Sequence, residues 1–141
     1  AAALASNPNL LVLSAHTQIT QSIPIQELEK LFETYPTVFG KQTPIYRGKK
    51  ITKRYIWSHF RDKDEVNMYS SIEDRHFLHN AFCFYRRDFL LENTFDETLA
   101  GKEDRYWAAD IVKKGHNYLY KANLQANHYW TKNGATWKGI G

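Results

Sequence analysis

The chain has 141 residues, 43% of them apolar and 15% aromatic, which is material for one domain with a real core and argues against disorder. One cysteine, Cys83, excludes an intramolecular disulfide and a thiolate zinc cage, and suits a reducing compartment. The net charge of +4 is modest, and no apolar run approaches the roughly 20 residues of a bilayer span.

"AAALASNPNLLVL" has no basic residue ahead of its apolar stretch, so a cytoplasmic protein with neither signal peptide nor span is expected. Within it, "NLLVLSA", residues 9–15, is a continuous apolar run that predicts a strand buried on both faces of a parallel sheet. "HTQIT" would lie at its carboxyl end. After Pro24, the residues Ile25, Leu28, Leu31, Phe32 and Tyr35 recur at helical spacing, which predicts a helix ending near Pro36. "TVFGKQTP" then returns as a second short strand. Strand, helix and strand together predict a βαβ unit and an α/β fold with a mostly parallel sheet.

The segment "RGKKITKRYIWSHFR", residues 47–61, holds six of the 19 basic residues and no acid, so the rest of the chain is slightly acidic. Part of it, residues 49–60, has Ile51, Tyr55, Ile56 and Phe60 on one side of a helix and cations on the other. Basic patches attract phosphates on nucleotides, nucleic acids or lipid headgroups, although a solvated face is their commoner meaning. "RDKDEVNMYSSIEDRH" has no periodicity and reads as a long surface loop. "FLHNAFCFYRR" is apolar and β-prone and predicts another strand, with Cys83 as a small buried hydrophobe. "RRDFLLEN" predicts a short helix, in which Arg86 and Arg87 favour structural roles over phosphate binding.

"GKEDRYWAADIVKKG" predicts an amphipathic helix with Trp107, Ala108, Ile111 and Val112 on its apolar face and a cationic, glycine-stopped carboxyl end. Glu103 and Asp104 fall in its first turn, where the helix dipole stabilises carboxylates by roughly 0.3–1 kcal/mol each. Most acidic pairs at such a place do nothing more. Periodicity, however, aligns Asp104 with Ala108 and Ile111, so it points toward the body of the protein. A carboxylate held ionised at the rim of a buried face is suited to act as a general base toward a sugar hydroxyl. "NYLYKANLQANHYW" predicts further strand, and the tail "TKNGATWKGIG" is too glycine-rich for regular structure.

The longer string "HNAFCFYRRDFLLENTFDETLAGKEDRYWAADIVKKGHNYLYKANLQANHYW" resembles the carboxyl half of family 2 glycosyltransferases of the GT-A fold. Their pattern carries an asparagine, the "RR" pair, "FDE.L.G.ED" and a late histidine, matched in order over residues 80–128. The first 44 residues fit more loosely, with "SAH", Ser14 to His16, where others carry the donor-site Asp-x-Asp, and a strand ending in a "G.Q.P" turn. Rhamnosyltransferase-like bacterial members are similar.

The resemblance implies the carboxyl-terminal part of one GT-A catalytic domain, spanning residues 1–141, a Rossmann-like mixed sheet flanked by helices whose first nucleotide-binding strands would precede it. Asp104 would deprotonate the acceptor hydroxyl in an inverting displacement, with Glu103 shaping the acceptor pocket. His16 and His128 would stand at the donor diphosphate, either binding a divalent cation, magnesium or manganese, or hydrogen-bonding the phosphates. Trp137 would close over the donor. The implied partners are a nucleotide-sugar donor and a saccharide or lipid-linked acceptor in cell-surface polysaccharide assembly. No nucleic-acid motif accompanies the basic patch, so nucleic acid is not an expected partner, and anionic lipid at the inner face of the cell membrane fits the patch better. A non-catalytic carbohydrate- or nucleotide-binding remnant is the competing expectation.

Overall fold

A computed structural model describes residues 2–50 and 55–132. It is a mixed α/β protein with few helices and one principal sheet. The strands are β1 (Asn9–Leu13), β2 (Thr17–Gln21), β3 (Thr37–Tyr46), β4 (Lys49–Lys50), β5 (Glu65–Val66), β6 (Tyr69–Ser70), β7 (Arg75–His76), β8 (Phe82–Arg86) and β9 (Leu119–Tyr129). The helices are α1 (Ile25–Phe32), α2 (Arg87–Glu92) and α3 (Glu103–Lys113), and a short 3₁₀ turn covers Tyr55–His59.

The sheet order is β1-β8-β3-β9-β2, with β4 added to β3 and β5 to β9, while β6 and β7 pair apart from it. Among the described residues only β3 and β9 are parallel neighbours; the other pairings are antiparallel. The mostly parallel sheet expected from the strand, helix and strand order is therefore corrected, while the sheet is mixed and flanked by helices as the resemblance implied. β1 and β3 do run in the same direction, but the antiparallel β8 lies between them.

Alternation along the central strands sends side chains to two cores. Phe39, Cys83 and Tyr85 face Trp107, Ala108 and Ile111 of α3 and Phe89 of α2. Val38 and Phe82 face Leu28 and Phe32 of α1, with Leu124 and Ala126. The sheet is thus sandwiched between α1 on one side and α2 and α3 on the other. Gly40 sits where β3 passes closest to its neighbours. Any Cβ there would lie 2.5 Å from the Phe82 ring and 2.9 Å from the Leu124 carbonyl. Beside it the β3–β9 register jumps, Gly40 facing Lys121 and Lys41 facing Gln125, so residues 122–124 bulge out of the ladder. Asp64 supports that bulge by accepting the Ala122 N–H at 2.8 Å and pairing with Lys121.

Three further expectations change. β1 is an edge strand, and Leu11 and Leu13 on its outer side are 42% and 40% exposed, so it is not covered on both faces. "HTQIT" follows its carboxyl end as expected, and Thr17–Gln21 form strand β2. The segment 61–76 carries three two-residue strands and buries Met68 and Ser70, so it is not a bare surface loop. The helix expected over residues 49–60 is replaced by β4 and the 3₁₀ turn among the described residues; residues 51–54 lie outside them. Lys49 and Lys50 are exposed, whereas Ile56 and Phe60 are buried as their spacing indicated.

α3 forms where the periodicity placed it, and its end is a full Schellman closure. The N–H of Gly115 reaches the Val112 carbonyl at 2.9 Å and that of His116 reaches the Ile111 carbonyl at 3.0 Å. Gly115 adopts the left-handed φ of 89° that this closure needs. No helix among the described residues is long and apolar enough to cross a membrane.

Candidate functional site

Residues 14–16 connect β1, at one edge of the sheet order, to β2, at the other. Four Cα steps reach about 15 Å, while opposite edges of a flat five-strand sheet lie about 19 Å apart. The sheet must therefore curl, and the link runs across its end. The Ser14 N–H donates to the Ala81 carbonyl at 3.1 Å, and the His16 carbonyl accepts the Tyr129 N–H at 2.8 Å. His16 is thereby stretched between the start of β8 and the end of β9. Its ring lies 4.6 Å from that of His128.

His128 is buried in β9 and belongs to a larger group than the pair. On the neighbouring β3, Gln42 is buried too, and its Oε1 lies 2.8 Å from His128 Nδ1. The Nε2 of the same amide lies 3.1 Å from Nδ1 of buried His79, in the turn before β8. Trp57 meets the His128 ring edge-on at 5.3 Å. Burial is the main cause that pulls these imidazoles down, with a smaller push from His16: His128 falls to about 3. His79 falls well below its ordinary range through burial, then through the charges of Arg105, His128 and His16. His16 is also lowered by burial.

Arg105 belongs to a second group, one step along the chain from His79. Asp104, at the start of α3, is 5% exposed. Its Oδ2 accepts the Asn80 backbone N–H at 3.0 Å, and its Oδ1 accepts the Arg105 N–H at 2.9 Å and Arg105 Nη1 at 2.7 Å. Arg105 in turn lies 3.7 Å from Glu73 and over the Phe77 ring at 4.6 Å. Lys102 lies 3.4 Å from Glu73. Tyr85 donates to the Asn80 side chain. The segment 79–80 is the seam: His79 turns toward the imidazoles and Asn80 toward the acid.

The structure therefore brings His16 and His128 into contact, joins His128 to His79 through Gln42, and places Asp104 on the backbone of Asn80, the residue after His79. Glu103, half-buried, flanks Asp104 in the first turn. Trp137 lies outside the described residues. The other sequence assignments hold as packing: Trp107 is buried and donates to the Asn93 carbonyl, Cys83 is fully buried, and Arg86 and Arg87 bind backbone carbonyls of Phe32 and of Ala2 and Ala3.

The chemistry available follows from these contacts. A carboxylate oxygen has two lone-pair directions. Oδ1 uses both, so only the second direction of Oδ2 is left to take a proton. For a divalent cation the donor set fits poorly. Among the described residues no group of three or more His, Cys, Asp or Glu side chains is placed to hold a metal ion. Two imidazoles without a carboxylate do not suit magnesium, which takes oxygen ligands.

Sequence reasoning missed Gln42, His79 and Arg105. Gln42 was visible only as the middle of "G.Q.P", and His79 only as the residue before the matched asparagine. Neither carries a local pattern; the parallel register of β3 with β9 brings Gln42 to His128, and the connection before β8 brings His79 to both. The chain matches no family model and no curated protein.

Proposed function

We propose that the chain is the carboxyl-terminal part of a GT-A glycosyltransferase catalytic domain of family 2, which moves a sugar with inversion from a nucleotide-sugar donor to a saccharide or lipid-linked acceptor. One observation carries the reading: residues 16, 80, 104 and 128, spread through the sequence, gather around the segment 79–80 at one end of the sheet. In this scheme the remaining lone pair of Asp104 Oδ2 takes the acceptor proton, and the Asn80 N–H and Arg105 hold the carboxylate in its orientation. Glu103 lines the acceptor side, and the His16 and His128 end receives the donor. The open edge of β1 is where the nucleotide-binding strands of such a fold would pair. No step is routed through a cation, given the donor set.

The test uses the longest natural chain that contains these residues. Nucleoside diphosphate release from a panel of nucleotide sugars is measured with saccharide and lipid-linked acceptors. Asp104→Asn is expected to abolish transfer while sparing nucleotide affinity. Near wild-type transfer by that variant removes Asp104 as the base.

A second reading has its own support. Asp104 is tied by three hydrogen bonds, one of them also an ion pair, the arrangement of a structural acid, which favours a non-catalytic carbohydrate- or nucleotide-binding domain. Saturable binding of a nucleoside diphosphate or oligosaccharide with no donor turnover selects it.

A further inference from the structure

Gln42 joins His79 to His128, and two backbone groups decide which way its amide points. The Ala81 N–H lies 3.3 Å from His79 Nδ1. A backbone N–H can only donate, so His79 Nδ1 is a bare acceptor and the ring proton sits on its Nε2. Whatever else meets His79 Nδ1 must also donate, and the Gln42 atom there, 3.1 Å away, is accordingly the amide nitrogen. The His79 carbonyl, which can only accept, lies 3.5 Å from the same Gln42 nitrogen and demands the same orientation. The Gln42 oxygen therefore faces His128. At 2.8 Å from that oxygen, His128 Nδ1 must carry its proton.

We propose that Gln42 is a positioning residue that sets opposite tautomers in His79 and His128, so that any group meeting His128 at Nε2 must be a hydrogen-bond donor or an electron-pair acceptor. A neutral ring protonated at Nδ1 has a lone pair at Nε2, and a phosphate oxygen, itself an acceptor, has nothing to gain there. A sugar hydroxyl or water has. Burial keeps both rings neutral, which is the condition for a fixed tautomer. In its consequence for catalysis this rests on the glycosyltransferase reading: it leaves the donor diphosphate to groups other than His128. A single amide with a donor and an acceptor end is well suited to the task, because it imposes different protonation on two neighbours at once.

The test is a long-range ¹H–¹⁵N spectrum of the imidazoles in the full ¹⁵N-labelled chain near neutral pH. His128 is expected with its proton on Nδ1 and His79 with its proton on Nε2. Gln42→Met, close in shape but without the amide, is expected to release His128 toward the Nε2-protonated form, with the overall amide spectrum unchanged. Gln42→Asn draws the amide back by one methylene and carries the same expectation, should the methionine variant not fold. Addition of inorganic pyrophosphate is expected to leave the His128 ring nitrogens where they are. A wild-type His128 protonated at Nε2 overturns the assignment, and so does a folded Gln42 variant in which both rings keep their tautomers. The spectra need no substrate. These tautomers in the chain, together with no sugar transfer by the longest natural chain that contains it, sink the proposed function and leave the role of Gln42 standing.

Discussion

Asp104 and Arg105, adjacent in sequence, close a buried ion pair: Arg105 Nη1 lies 2.7 Å from Asp104 Oδ1, and each side chain is 7% exposed. Removing one partner of such a pair strands the other charge in a poorly solvated place, which costs about 3–5 kcal/mol. Arg105→Met should therefore destabilise the fold by that order. Asp104→Asn should cost less, because Glu73 still lies near the guanidinium. The double variant should be more stable than Arg105→Met alone. A double-mutant cycle in urea measures the coupling, and simple additivity of the two changes would show that the pair contributes nothing as a pair.

Acid should loosen this protein earlier than its carboxylates alone would require. His79 and His128 are pulled below the ordinary value of 6.5, His128 to about 3, mainly by burial. Between those values the unfolded chain binds protons on these rings and the folded chain does not, so stability falls as pH falls through that window. Each ring contributes a slope of up to about 1.4 kcal/mol per pH unit. Asp62, Asp88 and Asp96, held low by hydrogen bonds, add loss of the same sign only nearer their own range. Urea midpoints between pH 6 and 4.5 isolate the histidines. His128→Asn, whose amide nitrogen can keep the bond to Gln42, should remove about half the slope, and a flat profile in the wild type would refute the expectation.

Gly40→Ala should be among the more damaging single-methyl additions in the chain. The new Cβ meets the Phe82 ring at 2.5 Å and the Leu124 carbonyl at 2.9 Å, and the second of these is backbone that cannot swing away. Overpacking of this kind costs about 1–3 kcal/mol. Because Gly40 adjoins the β9 bulge, exchange of amides 119–129 should quicken along with the fall in melting temperature. An unchanged melting temperature would mean that β3 and β9 can separate freely, contrary to the close approach.

How much of this could be read beforehand divides along the range of the interactions. α1, α2 and α3 were legible because their apolar residues repeat at short spacing, and Asp104 was placed on the buried side by the same periodicity. β1 was misjudged because four apolar residues in a row look alike whether a strand is covered on both faces or, as Leu11 and Leu13 show, left half open at an edge. The insertion of β8 between β1 and β3 depends on pairing over more than 40 residues, which leaves no local trace. The imidazole group has the same origin. His16, Gln42, His79 and His128 come from four segments, and only the curl of the sheet makes them neighbours.

The segment 67–77, featureless by periodicity, is held by Tyr118, and removing one oxygen should show it. The Tyr118 hydroxyl lies 2.7 Å from the Met68 carbonyl and 3.2 Å from the Phe77 carbonyl. Burial raises its pKa far above the ordinary range for tyrosine, so the hydroxyl keeps its proton and remains a donor. Met68 O also accepts the Phe77 N–H at 2.8 Å and would not be stranded by the loss. Among the described residues no backbone N–H donates to Phe77 O, and its burial without the hydroxyl sets the cost of Tyr118→Phe at about 1–2 kcal/mol. The ring itself stays packed against Phe39, so the helices should be untouched. Hydrogen exchange should therefore accelerate at Met68 and Phe77 and not in α3. Uniform acceleration across the chain would instead mean that the segment and the sheet open as one unit, with Tyr118 holding no part of it separately.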